Sequence, residues 1–131
     1  MATIFSKIIK GEIPSYKILE DEQFYAFLDI SPMAKGHTLV IPKKEVDYLF
    51  DIDDAALSKM MLVSKKLALA IEKAIECTRV GMMVVGLEVP HAHIHLIPIQ
   101  TEQDMNLANK RLELSSEEFE KIAEDIVSFL Q

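Results

Sequence analysis

His91-Ala92-His93-Ile94-His95-Leu96-Ile97 alternates polar and apolar side chains residue by residue. A two-residue period is that of a β-strand with one face in a core, and it fixes the face each side chain takes. Ala92, Ile94 and Leu96 then point inward, while His91, His93 and His95 share the other face at intervals of about 7 Å. A strand is expected over His91 to Ile97.

Just upstream, the apolar run Arg79 to Leu87 is close enough, across Pro90, to form a hairpin with this strand. Before it, Leu57, Met60, Met61, Leu67, Ala68, Ile71, Ala74 and Ile75 recur at helical spacing from Asp53-Asp54 to about Glu76, broken only at Ser64. Acids open this long central helix, which suits its positive end. The methionines Met60, Met61, Met82 and Met83 read as core filling.

Nearer the start, Ser15 to Glu20 and Gln23 to Asp29 read as a hairpin, and His37 to Ile41 as a third strand closed by Pro42. Thr3 to Lys10 reads as a short helix stopped by Gly11. Downstream, 98–114 is polar and irregular, an expected loop, and Ser115 with Glu118 forms a capping-box pattern at the head of a terminal helix over 115–131. Three strands, a long helix, two strands and a helix cannot make a regularly alternating parallel sheet. The expected fold is α+β in one domain over 1–131: a five-stranded antiparallel sheet with the long helix on one face and short N-terminal and C-terminal helices.

Half of the 131 residues are hydrophobic, and there are only four glycines and five prolines, which excludes disorder and fibrous repeats. The formal charge of −7 argues against nucleic-acid binding, because Lys43-Lys44, Lys65-Lys66 and Lys110-Arg111 do not cluster in sequence. Backbone amides and a few side chains can still bind one phosphate locally. A lone Cys77 excludes an internal disulfide and fits a reducing compartment. The start Met1-Ala2-Thr3-Ile4-Phe5-Ser6-Lys7 lacks the features of a secretion signal and no apolar run is long enough for a membrane span, so a soluble cytoplasmic protein is expected.

Three of the four histidines gather in five residues. As the polar face of an ordinary strand that gathering has no reason. As a metal site, His-x-His can offer two imidazoles to zinc, but the segment holds no cysteine or acid, leaving His37 as the recruit. As a nucleophilic site, one neutral imidazole attacks phosphorus, oriented through its other nitrogen, and forms a labile phospho-histidine that water cleaves.

These residues resemble a known family. His91-Ala92-His93-Ile94-His95-Leu96-Ile97 is similar to the His-φ-His-φ-His-φ-φ signature of the histidine triad superfamily, where φ is apolar. Thr3 to Pro14 resembles that family's opening helix, and Ala26-Phe27-Leu28-Asp29-Ile30-Ser31-Pro32 with Gly36 to Lys44 resembles its nucleoside-binding half. The resemblance implies a homodimer with sheets joined across the interface, and an enzyme that cleaves nucleotide conjugates at the α-phosphate without a cofactor. His93 matches the nucleophile, which is transiently nucleotidylated. His95 matches the histidine beside the scissile phosphate, and His91 and His37 match the supporting histidines. Asp29 matches the acid that holds the ribose hydroxyls, and Phe5, Ile8, Ile13, Phe27, Leu28 and Ile30 match the apolar slot for a purine.

Two departures from the family pattern stand out. Many bacterial relatives carry Cys-x-x-Cys in the opening helix and bind a structural zinc, whereas Thr3 and Ser6 occupy those positions, so no metal is expected. The phosphate-side loop Val85-Gly86-Leu87-Glu88-Val89-Pro90 lacks the usual Asn and Gly-Gln-Ser or Gly-Gln-Thr element. Gly86 keeps the capacity for close backbone approach, but Leu87 cannot donate a hydrogen bond, and Glu88 repels a phosphate unless it faces away or receives a cationic leaving group such as an amine. The expected activity is that of a phosphoramidase-like nucleotidyl hydrolase. The alternatives are a dinucleoside polyphosphate hydrolase, a nucleotide-binding or interaction module with little turnover, and, third, a metal-binding protein.

Overall fold

Helix α1 (Ile4–Ile9) begins under Thr3, whose side chain accepts the Ser6 N–H while the Ser6 side chain accepts the Thr3 N–H. It ends at Lys10, and Gly11 turns the chain away at φ +80°, a conformation that costs glycine little. The strands β1 (Lys17–Glu20), β2 (Phe24–Leu28), β3 (Thr38–Pro42), β4 (Arg79–Met83) and β5 (Ile94–Ile99) form one sheet in the order β1-β2-β3-β5-β4, antiparallel throughout. The long helix α2 (Asp54–Ala74), capped by Asp53, and the terminal helix α3 (Ser116–Ser128), capped by Ser115 and Glu118, complete the fold. This computed structural model describes residues 3–130; Met1, Ala2 and Gln131, at the limits of the expected domain and terminal helix, lie outside the described residues.

The two faces of the sheet build different cores. Phe24, Ala26 and Leu28 of β2, with Val40, Ala92, Ile94 and Leu96, pack under α2 and α3. Tyr25 and Phe27 of the same strand, with Leu39 and Ile41 of β3, face the other way and pack under Phe5 and Ile8 of α1. The larger core holds the sheet in shape, while the smaller one abuts the histidines. Among the described residues, no helix is long and apolar enough to cross a membrane.

Several boundaries differ from those expected. The β5 ladder starts at Ile94, opposite Val40, because the Ala92 N–H is taken by the Val46 carbonyl at 2.7 Å outside the sheet. Inward and outward alternation nonetheless continues through His91 to His93, since Ala92 still joins the α2 core. At its other end β5 runs through Pro98, opposite Val80, to Ile99, and a 3₁₀ turn follows at Glu102–Met105, so 98–114 is only partly irregular. Strand β4 stops at Met83, four residues short of Leu87, and Gly86 turns at φ +75°.

Ser64, the break in the helical pattern, is fully buried because its hydroxyl donates to the Met60 carbonyl at 2.9 Å. The methionines divide: Met60 is core, but Met61, about 100° further round the helix, is 50% exposed, and Met82 on the edge strand is 43% exposed.

Helix α3 is integral to the main core, since Ile126 has no exposed surface. Ile126→Ala should lower unfolding stability by about 2–4 kcal/mol in urea titrations. A loss under about 1 kcal/mol would mean that α3 merely rests on the domain.

Candidate active site

The β3 to β5 ladder sets the geometry of the site. It pairs Thr38 with Leu96, Leu39 with His95 and Val40 with Ile94, so His37, just before β3, comes beside His95. His37 Nε2 lies 2.9 Å from His95 Nδ1, and His37 is almost wholly buried. His93 and His95 share a face, as alternation requires, with ring centroids 4.9 Å apart and ring planes inclined at 63°. The Phe5 ring meets His93 edge-on at 5.0 Å and His91 at 5.8 Å, so α1 packs against two members of the triad.

Fixed donors and acceptors assign each ring's proton. A backbone carbonyl can only accept, so His93 Nδ1, 2.8 Å from the His91 carbonyl, carries its proton there, and in the neutral ring Nε2 bears the lone pair. A backbone N–H can only donate, so His37 Nδ1, which receives the Met33 N–H at 3.0 Å, is bare. His37 then donates through Nε2 to His95 Nδ1, which leaves His95 with its proton on Nε2. Two neighbouring rings thus present opposite groups, a lone pair on His93 and an N–H on His95.

Burial holds His37 and His95 neutral. It pushes His37 down to about 3 and His95 down to about 4, and the neighbouring imidazoles and the Arg111 charge, which disfavour a further proton, act in the same direction. Burial also lowers His91. Asp29 Oδ2 is 3.6 Å from His37 Nε2, too far for a hydrogen bond, and with His37 neutral this contact is no ion pair. The Asp29 carboxyl is raised, chiefly by burial and further by the charge of Glu88; the Ser31 N–H, Arg111 and His93 oppose the rise. Glu88, itself exposed, is therefore near enough to the site's acid to act on it. Leu87, 89% exposed, fills no part of the interior.

Thr3 and Ser6, together with Glu45, which the sequence did not single out, form the cluster that holds His91. Its Nε2 donates to the Pro42 carbonyl at 2.7 Å, and its Nδ1 faces Thr3 Oγ1 at 2.9 Å. Beyond Thr3, the Ser6 hydroxyl donates to Glu45, which also accepts the Thr3 N–H at 3.1 Å. These hydrogen bonds draw the Glu45 carboxyl below its ordinary range. The Thr3-x-x-Ser6 spacing is also that of a helix cap, and nothing local in the sequence ties it to Glu45.

The cluster occupies the place where zinc-binding relatives carry their cysteines, and its donor set does not fit zinc. Hydroxyls replace thiolates, and both nitrogens of His91 are committed to hydrogen bonds. A second group, Asp29, His37 and His95, brings three ligand-type atoms within 4.8 Å of one another. There, two of the atoms share a proton between the imidazoles.

The expected slot residues separate. Phe5, Ile8 and Phe27 form one apolar cluster with Ile13 at its margin, beside the triad. Leu28 does not belong to it. As the neighbour of Phe27 in a strand, it points through the sheet into the α2 core. Ile30 lies past the end of β2 and is 70% exposed. A side-chain carbon at Gly86 would meet nothing within 4 Å, so its left-handed backbone, and no close contact, is what calls for glycine.

Comparison with known proteins identifies the family. The model of the HIT domain family matches residues 10–102. Adenosine 5'-monophosphoramidase HNT1 of Saccharomyces cerevisiae is 45% identical over 103 residues, 78% of this chain and 65% of that protein's length. Adenosine 5'-monophosphoramidase hnt1 of Schizosaccharomyces pombe is 33% identical over 98% of both chains. Among solved structures, a Hit-like protein from Bartonella henselae described as involved in cell-cycle regulation superposes with a TM-score of 0.83 at 34% identity, covering 98% of this chain and 96% of that one. The match of family model, full-length relatives and fold establishes that this chain belongs to the histidine triad, or HIT domain, family.

Proposed function

We propose that the protein is a nucleotidyl hydrolase of the phosphoramidase-like branch, which cleaves a nucleotide conjugate at its α-phosphate through a nucleotidyl-His93 intermediate. The observation that carries this reading is the paired tautomers: a bare Nε2 on His93 beside a protonated Nε2 on His95. The family relatives named as adenosine 5'-monophosphoramidases support the same chemistry.

In this mechanism His93 Nε2 attacks the α-phosphorus, and the bond from phosphorus to the leaving nitrogen breaks. The electron pair stays on that nitrogen, which takes the proton from His95 Nε2. Water then attacks phosphorus, the bond to His93 breaks, the water proton returns to His95, and a nucleoside monophosphate leaves. As the bond from Nε2 to phosphorus forms, the His93 ring gains positive charge, and the His91 carbonyl, which accepts the Nδ1 proton, stabilises it. Asp29 holds the ribose hydroxyls, and Phe5, Ile8, Ile13 and Phe27 flank the base, with Ile30 at the mouth. The purine preference comes from the family and from no contact particular to this chain.

Glu88, whose negative charge acts on Asp29, favours an amine over a phosphate as the leaving group, so P–N bonds are the preferred substrates over the P–O–P bonds of dinucleoside polyphosphates. Leu87 offers no hydrogen bond to a leaving group, and this one feature favours the rival reading of a nucleotide-binding module with little turnover. The protein acts as a homodimer. Strand β4 is an edge of the sheet, and Met82 on it and Val84 just past its end, with Met61, Leu62 and Leu69 of α2, expose apolar surface suited to a second copy.

Incubation with an adenosine phosphoramidate should release AMP, and His93→Ala should reduce the rate by about 10³-fold or more while AMP still binds. Equal rates from the two proteins would sink the mechanism, and AMP binding without turnover would favour the binding module. Sedimentation at micromolar concentration should give twice the 14.8 kDa chain mass, and a monomer would remove the dimer.

The buried imidazoles also make stability depend on pH. His37 and His95 titrate at about 3 and about 4 in the folded chain against 6.5 for the unperturbed group. Between 6.5 and about 4 the unfolded chain therefore binds protons that the folded chain refuses, so stability falls as pH falls through that window. Urea midpoints measured at steps through that window should fall less steeply for His37→Gln than for the wild type. Parallel slopes would clear His37 as a cause.

A further inference from the structure

The chain beyond the family match returns to the site. Arg111 lies past residue 102, where the HIT domain match ends, and donates through Nη1 to the Ser31 carbonyl at 2.8 Å. The next N–H along the chain, that of Leu112, goes to the Pro32 carbonyl at 2.9 Å. Ser31 and Pro32 are the middle of the turn that joins β2 to β3. At the start of that turn Asp29 accepts the Ser31 N–H at 2.8 Å through Oδ1, and its own N–H goes to the His37 carbonyl at 2.9 Å. Further along, Met33 donates its N–H to His37 Nδ1. One short stretch thus carries the acid proposed for the ribose and the amide that sets the proton on His37, and through it the proton on His95.

Arg111 is only partly buried, and among the described residues no carboxylate lies within ion-pair distance of its guanidinium. Its charge still reaches Asp29, His37 and His95, all of which it shifts downward. In a chain of net charge −7, this is an uncompensated cation at the edge of a site built for an anion.

We propose that Arg111 is a positioning residue of the nucleotide site: it fastens the turn from Asp29 to His37 in its ligand-binding form, and its free positive charge raises affinity for the phosphate of a nucleoside monophosphate group. The assignment rests on the nucleotide reading of Asp29 and His93. Segment 106–114 is on this account part of the site, fastened across the turn from outside the family core. Because guanidinium offers several donors in a fixed plane, it can hold a carbonyl and keep further N–H groups free, which a lysine cannot match.

The test compares the wild-type chain with Arg111→Met and Arg111→Lys. Without nucleotide, amide hydrogen exchange over residues 31–37 and at Leu112 should be about tenfold faster in Arg111→Met. With an adenosine phosphoramidate, KM should rise by about tenfold while kcat stays within about threefold, and Arg111→Lys should recover part of KM by restoring the charge. Unchanged exchange, or faster exchange with an unchanged KM, overturns the proposal. Failure of the wild type to bind AMP at all would instead overturn the nucleotide reading, and the role of Arg111 with it.

Discussion

Three residue pairs between β3 and β5 are the constraint on which the rest depends. They join a three-stranded half, β1 to β3, to the hairpin of β4 and β5, and the two are far apart in sequence. A slip of one residue in that short ladder would exchange the faces of every side chain on β5. His95 would turn into the α2 core, Leu96 would face α1, and the contact between His37 and His95 would vanish. Apolar packing on both sides resists the slip, because Ile94 and Leu96 are seated under α2 while Leu39 and Ile41 are seated under α1.

From that register the proton arrangement follows with little freedom. A carbonyl at His91 and an N–H at Met33 are the two fixed ends, one that can only accept and one that can only donate. Between them His93, His95 and His37 must divide their protons in a single consistent way. Burial then keeps His37 and His95 from gaining a second proton at neutral pH, which would erase the directionality. The backbone therefore does much of the electrostatic preparation, and it does so with groups that mutation of side chains cannot remove.

How much of this was legible depended on how far apart the partners lie in the chain. The histidine face, the two hairpins and both long helices were readable because each is written in a local period or cap. Leu28, which the resemblance groups with Phe27, packs on the opposite face, and the same alternation that separates His93 from Ile94 separates Phe27 from Leu28. Glu45 and Arg111 were invisible for a different reason. Glu45 meets Thr3 across 42 residues and Arg111 meets Ser31 across 80, and no local pattern marks a charged surface residue as the one that reaches such a partner.

The hydroxyl and carboxylate cluster around His91 bears on the conditions under which the protein can work. Thiols held in such a place can be oxidised, and a zinc held by them can be withdrawn by a chelator. Thr3, Ser6 and Glu45 are open to neither loss, so the seating of α1 on the triad is indifferent to peroxide and to metal supply. Acid takes over as the vulnerability. With its carboxyl held below the usual 4.5, Glu45 contributes stability that is present above that value and is lost as pH falls through the lower folded one. Strong acid should therefore loosen the helix that leans on His93, where thiol ligands in the same place would add oxidants and metal starvation to it.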